Sequence, residues 1–268
     1  MNHNYSFPIS LFISLLVSGS AYAQSTSNVA NGKMYSERVG KSSIYFPTPA
    51  GFVSVRPEMK RYYDYASLLT PKGSQLNAFF LQDSMKKHLN ADTLLYPAKF
   101  IRVQSLTNFE LPPSIEDKEI IRIFKDKLKK QSTESYSQYV DKVNKQLVDK
   151  EDELIRLMEY DSDFKALSMV AVKGFDEGPL WLSYGMFIKY NVDDTEGKQI
   201  VDIKAGTLSF ALIKRQIVFV YSYAEKDQLE WAKRTTKGYL EALVAANNPV
   251  LPKLSSKPIP ATVKGVKR

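Results

Sequence analysis

Between Leu180 and Ala224 three long apolar runs follow one another with almost nothing between them, and no other part of the chain restricts its fold as tightly. In "LWLSYGMFIKY" the residues Leu182, Tyr184, Met186, Ile188 and Tyr190 recur at every second position, the period that lines one face of a strand. "NVDDTEGK" reads as a turn. "IVDIKAGTLSFALI" and "QIVFVYSYA" follow, with Lys214 and Arg215 at the tight connection between them. Strands joined by connections this short pair antiparallel. The chain then takes up helical spacing at Asp227. Asp227 and Glu230 form a D-x-x-E box at the positive end of the helix dipole. Leu229, Ala232, Tyr239, Leu240, Leu243 and Val244 supply a buried face, and Asn247, Asn248 and Pro249 stop the helix.

The first half carries weaker strand signals. In "SSIYFPTPAGFVSV", residues 42–55, Ile44 and Phe46 alternate before Pro47 and Pro49 interrupt, and Val53 and Val55 resume after the turn "PAGF". Proline cannot donate to a sheet ladder, so this is an edge strand ended by its prolines, not a site. "YDYASLLTPKGSQLNAFFLQD" reads as a hairpin, with strands near 63–70 and 76–82 and a turn in which Pro71 presets the geometry and Gly73 takes a positive φ. A short helix is expected over residues 84–90, and "KFIRVQSLTNF" is a further strand. "DEG", residues 176–178, is expected to be a turn after the strand "FKALSMVAVKGF".

Residues 114–155 break this pattern. Ser114 and Asp117 resemble an N-terminal capping arrangement, Ile120, Ile121, Phe124 and Leu128 form one helical stripe, and Tyr136, Val140, Val143 and Leu147 form a second. The order is strands, a helical insert, more strands and a closing helix. The expected class is therefore α+β: an antiparallel sheet with a helical insert in the middle and a C-terminal helix packed on the sheet.

The ends have a different character. Leu11 to Val17 is a short apolar run followed by "AYA" at Ala21–Ala23, which matches a signal-peptide cleavage pattern, although no Lys or Arg precedes it. The expected organisation is a signal peptide over 1–23, a flexible Ser/Asn/Gly lead-in over 24–41, a single α+β domain over 42–248 and a disordered Pro/Lys-rich tail over 249–268. The expected location is periplasmic or secreted, without an integral membrane span after cleavage; the alternative is a chain anchored through an uncleaved leader. Of the net charge of +8, the tail residues Lys253, Lys257, Lys264, Lys267 and Arg268 carry +5, leaving only +3 for the body. A uniformly basic nucleic-acid-binding domain is thereby excluded.

The inventory of reactive groups is thin. There is no cysteine, which removes thiol catalysis, thiolate metal sites and redox switching. His88 is the one imidazole after the leader; a general base or metal ligand is the functional reading, a surface residue beside Lys86 and Lys87 the plain one. One histidine cannot build a His-based zinc site, and no nucleophile elbow or phosphate loop occurs. "NVDDTEGKQIVD" fails as a calcium loop, because Gly197 arrives one position late. Paired carboxylates at Glu116 and Asp117, Glu151 to Glu153, and Asp161 and Asp163 lie in charge-rich segments. No catalytic residue, cofactor or metal is assigned. The aromatic stretch "KRYYDY" offers a candidate interaction surface of Arg61, Tyr62, Tyr63 and Tyr65, joined by the five tail cations; its plain reading is an amphipathic strand with half-buried rings. Trp181 and Trp231 share that ambiguity, and Trp231 lies off the apolar stripe of its helix, in position either to cover a sheet edge or to stay partly exposed.

The motifs "FPTPAGF", "LNAFFL", "RVQSL" leading into "EDKEIIRIFKDKLK", "FIKYNV" and "VFVYSYAEKDQLEWAKRTTKGYLEALVAAN" resemble, in that order, a family of uncharacterised exported bacterial proteins. The strand–Pro–Gly opening and the closing hairpin and helix are similar to PsbP-like α/β sandwiches. The first resemblance implies export and a shared fold and no catalytic residue, and the Lys-rich tail departs from it. The leading functional expectation is a non-enzymatic envelope binding module that meets an envelope protein, anionic lipid or cell-wall polymer through its sheet face and tail. The alternatives are a small-ligand binder with a pocket between sheet and helices, and a carboxylate-dependent hydrolase.

Overall fold

The computed structural model describes residues 34–129 apart from 92–94, 96 and 108, residue 145, and residues 165–248 apart from 194–198. The leader, most of the lead-in, the stripe Tyr136–Leu147, the acids at 151–153, Asp161 and Asp163, and the tail lie outside the described residues.

Two sheets are present. β1 (Met34–Val39) and β2 (Ser42–Pro47) form an antiparallel ribbon. The main sheet contains β3 (Phe52–Ser54), β4 (Ser74–Gln82), β5 (Phe100–Leu106), β6 (Lys165–Gly178), β7 (Trp181–Asp193), β8 (Gln199–Ile213) and β9 (Gln216–Glu225). Its spatial order is β3-β4-β5-β9-β8-β7-β6, and every pairing is antiparallel. α1 (Lys60–Leu68) precedes β4, a 3-10 helix spans Asp83–His88, α2 (Asp117–Lys129) begins the helical insert, and α3 (Leu229–Asn247) closes the body. The class is α+β, with α3 packed on the sheet as expected.

Both faces of the central strands are covered. α1 and α2 lie over one face, where Tyr62, Tyr65, Ile120 and Phe124 join Phe79, Phe100, Phe210, Phe219 and Tyr221 in one core. α3 and the β1–β2 ribbon lie over the other, where Leu240, Leu243, Ile44 and Phe46 meet Phe80, Ile101, Val218 and Val220. Ile120, Ile121 and Phe124 of α2 and the expected stripe of α3 therefore point at the sheet. Leu229 is the exception, half-buried at the first position of α3.

Several sequence expectations are corrected. Residues 34–39 are not part of a flexible lead-in: they form β1, whose ladder runs from Met34 opposite Pro47 to Val39 opposite Ser42. β1 has no apolar alternation because only Val39 is fully buried. The strand expected over 63–70 is α1. Tyr62, Tyr65, Ala66 and Leu69 are spaced i, i+3, i+4 and i+7, so a helix buries all four, and this outweighs the strand propensity of the tyrosines. "TPKGS" consequently joins a helix to a strand, with Gly73 at φ +88° as its turn requires. Residues 176–178 continue β6, and the hairpin turns at Pro179 and Leu180. α2 starts at Asp117, not Ser114, because Pro112 to Ile115 closes a turn first. The N-cap of α3 is Gln228 rather than Asp227, with no side-chain cap bond.

Two polar devices fix the covering layers. Asn247, at the end of α3, donates to the Tyr45 carbonyl (2.7 Å) and accepts from the Tyr45 N–H (2.8 Å), serving the free edge of β2 as a strand partner would. It also donates to the Leu243 carbonyl (2.9 Å). The second device is the β8–β9 turn, where Lys214 and Arg215 both have positive φ, +46° and +62°. This two-residue hairpin shape suits Asn-Gly and costs a side-chain-bearing pair roughly 1–2 kcal/mol per residue. The side chains offset that cost. Lys214 Nζ donates to the Ser43 carbonyl (2.6 Å), holding the ribbon. Arg215 donates to Asp117 Oδ1 (2.9 Å) and to the carbonyls of Pro112 (2.8 Å) and Ile115 (3.1 Å), holding the start of α2.

Replacing Asn247 by Asp removes both donors and sets a carboxylate at the negative end of α3. Urea denaturation of Asn247→Asp is expected to show a loss of about 2–3 kcal/mol; a loss below about 0.5 kcal/mol would mean that apolar contacts alone hold the ribbon. Arg215→Gly relaxes the turn but frees residues 112–117. It is expected to cost about 1 kcal/mol net and to lose hydrogen-exchange protection in residues 115–121 before any other described segment. Unchanged protection there would show that Arg215 does not anchor α2.

Candidate functional site

β5 and β9 lie side by side in the middle of the sheet, and their alternation builds the site. Along "FIRVQSL", Ile101 and Val103 face α3, which turns Phe100, Arg102 and Gln104 toward α1. Along β9, Val218 and Val220 face α3, while Phe219, Tyr221 and Tyr223 face α1. Register places Arg102 directly opposite Tyr221 on one side and Phe79 on the other. A guanidinium thus stands in the interior beneath α1, at 1% exposure.

Arg102 Nη1 donates to the Leu69 carbonyl at the end of α1 (3.2 Å), and its guanidinium carbon lies 5.2 Å from the centre of the Tyr221 ring. Gln104, fully buried, directs Nε2 at Thr70 Oγ1 (3.4 Å), which itself donates to the Ala66 carbonyl (2.8 Å). Gln104 Oε1 and the Tyr221 hydroxyl are enclosed and have no hydrogen-bond partner. The floor is aromatic: Tyr223 stacks on Phe100 at 4.7 Å, and Phe100 meets Phe79 edge-on at 5.6 Å. Burial drives the Tyr221 and Tyr223 phenols upward, and the positive charge of Arg102 offsets this only in part. Both phenols therefore remain protonated donors at working pH. The site offers donors, one carboxamide acceptor and ring faces. An enclosed polar atom without a partner costs roughly 1–3 kcal/mol, and two of them beside a buried charge form the least satisfied polar region of the α1 face.

The residues singled out from the sequence are distributed otherwise. Tyr62 and Tyr65 are buried in the core, not displayed on a surface, because the helical spacing of α1 turns both rings inward. The Tyr62 hydroxyl donates to the Leu95 carbonyl (3.1 Å) and accepts from the Leu95 N–H (3.0 Å). Arg61 and Tyr63 are half-buried. Lys253, Lys257, Lys264, Lys267 and Arg268 lie outside the described residues. Trp181 is buried and donates to Asp176 Oδ2 (2.8 Å), whereas Trp231 is half-buried and packs on Phe52 of the edge strand β3. His88 is half-buried at the end of the 3-10 helix. Glu116 pairs with Lys118 and Asp117 with Arg215, both near the surface. Among the described residues, no cluster of three or more His, Asp or Glu is placed to hold a metal ion, and no helix is long and apolar enough to cross a membrane. Because both faces of the central strands are covered, an open sheet face there is not the interaction surface.

The arrangement makes a direct prediction. Tyr221→Phe removes an enclosed hydroxyl that bonds nothing in the empty protein, so it is expected to raise unfolding stability by about 1 kcal/mol in urea. A loss of that size would instead show that the hydroxyl is hydrogen-bonded.

No family model and no curated protein matches the chain, so the resemblance to an exported bacterial family rests on the quoted motifs. Two solved structures are similar in outline. One is the Ran-binding protein Mog1p of Saccharomyces cerevisiae, 10% identical, covering 81% of this chain and 93% of its own, with a TM-score of 0.30. The other is the cyanobacterial PsbP (CyanoP) of Synechocystis, 10% identical, covering 83% of this chain and 96% of its own, with a TM-score of 0.32.

Proposed function

We propose that this chain is an exported, non-enzymatic binding protein that takes a small carboxylate carrying a hydroxyl or amide donor between the sheet and α1. The observation that carries this reading is the enclosed Gln104 Oε1 and Tyr221 hydroxyl beside the buried Arg102. A carboxylate accepts from the guanidinium and the phenol, and a ligand hydroxyl or amide N–H satisfies the Gln104 oxygen. The aromatic floor excludes water and strengthens each of these bonds. Nothing in the site removes or supplies a proton near neutral pH, which favours retention of a ligand over its conversion. Entry displaces α1, a nine-residue helix with no side-chain N-cap bond. Export is supported by the Leu11–Val17 run and Ala21–Ala23, and a secreted chain beginning at Gln24 would bear it out.

Thermal unfolding tests the binding reading. Hydroxycarboxylates at about 100 times their Kd are expected to add about 2.7 kcal/mol, the corresponding carboxamides to add less, and Arg102→Gln to abolish the difference. Identical unfolding curves for acids, amides and no ligand would overturn it.

A further inference from the structure

Lys99 stands immediately before β5, at the end of a central strand of the sheet. Its side chain is only 6% exposed, and its ammonium lies 4.7 Å from the centre of the Trp231 indole, whose ring packs at 6.2 Å on Phe52. Among the described residues this amine makes no hydrogen bond and no ion pair. Lys204, equally buried, contrasts with it. Both Glu225 oxygens approach Lys204 Nζ (2.6 and 2.7 Å), and Asp202 lies at 3.4 Å. The carboxylates in electrostatic reach of Lys99 are Glu225, which Lys204 engages, and the exposed Asp227. The two buried lysines thus differ in kind: one is neutralised in place, the other faces an indole.

We propose that Lys99 is a selectively reactive amine at which small aromatic aldehydes condense to an imine. The unprotonated nitrogen attacks the carbonyl carbon, and the carbonyl π pair moves to oxygen, which takes a proton. The carbinolamine then expels that oxygen as water. The nitrogen gives up both hydrogens in the course of the step, and solvent relays the protons, so no oxidant or reductant takes part. The Trp231 face seats a flat ring beside the amine and holds the carbonyl within reach. Burial lowers the proton affinity of Lys99, and Glu225 and Asp227 oppose this in part, which leaves more free amine near neutral pH than at a solvated lysine.

The test is competitive labelling of the full chain with benzaldehyde and sodium cyanoborohydride at pH 7, read by peptide mass spectrometry. Lys99 is expected to be modified about tenfold faster than Lys86, Lys87 and Lys226. Its rate–pH profile should level off at a lower pH than theirs. Trp231→Phe is expected to keep the preference and Trp231→Ala to lose it, circular dichroism confirming that each variant is folded. Labelling of Lys99 no faster than the three surface lysines, or a preference that survives Trp231→Ala, would overturn the proposal.

Discussion

Nearly every residue of β9 is buried, on both sides of the strand, and the rest of the architecture answers to that constraint. An antiparallel sheet can ordinarily leave one face to water. Here the centre of the sheet cannot, so the chain must supply two covering layers, one assembled from the two ends of the body and the other from the stretch between them. α3 and the β1–β2 ribbon cover one face, α1 and α2 the other. Two-sided burial also means that polar side chains in the middle of β5, β8 and β9 lie in the interior and call for partners there. On the α3 face hydroxyl pairs achieve much of this, although Ser105 Oγ and the Tyr239 hydroxyl are enclosed there without a partner. Thr236 meets both Thr207 and Ser222 at 2.6 Å, and Ser209 donates to Ser183 at 2.8 Å. These hydroxyls give the seat of α3 a specific position that apolar contact alone would leave free to slide. On the α1 face the matching positions hold Arg102, Gln104 and Tyr221, and satisfaction is incomplete. What distinguishes the α1 face is that its orphaned atoms stand beside a buried guanidinium, where an anionic ligand of the proposed kind would meet both.

The β8–β9 turn connects the two layers through the edge of the sheet. Lys214 reaches the ribbon on the α3 side and Arg215 reaches the start of α2 on the other. A Gly or Asn at these positions would fit the backbone with less strain but could not span both layers. The positive φ angles are therefore the local cost of a global tie, which is the usual relation between strained backbone and a required side-chain direction. Asn247 plays a related part at the far end of α3, where a side-chain amide stands in for a strand.

Much of this fold was legible in the sequence, and the failures have physical causes. β7, β8, β9 and α3 are long and strongly periodic, so each could be read in isolation. α1 could not be read from propensity, since "YYDYASLL" is rich in residues that favour strands; its i, i+3, i+4, i+7 spacing was the better guide. β1 was invisible because it is a mostly exposed strand whose existence depends on β2, a partner that composition does not announce. The site lay in plain view within "RVQSL". Ile101 and Val103 identify one buried face, and the ordinary inference is that Arg102 and Gln104 then face water. Only the second covering layer reverses that inference, and no single strand records the presence of a layer drawn from elsewhere. Lys99 carried no signal at all, because a lysine before a strand is the commonest of surface residues.

Among the described residues three cations are almost wholly buried, and each is accommodated differently. Lys204 is matched by carboxylates, the arrangement that makes a buried charge tolerable and chemically quiet. Arg102 donates to a helix-terminal carbonyl and stands over a ring face, contacts that stabilise a guanidinium through dipoles and π electrons. Lys99 has the ring face alone. For stability alone, a well-packed apolar residue of similar size serves as well as a buried paired charge and often better. A buried cation that meets an indole face in place of a carboxylate, as Lys99 does, is therefore retained at a cost that stability does not repay. For such an amine the fitting partner is an electrophile, which is the chemistry that the condensation proposed at Lys99 draws on.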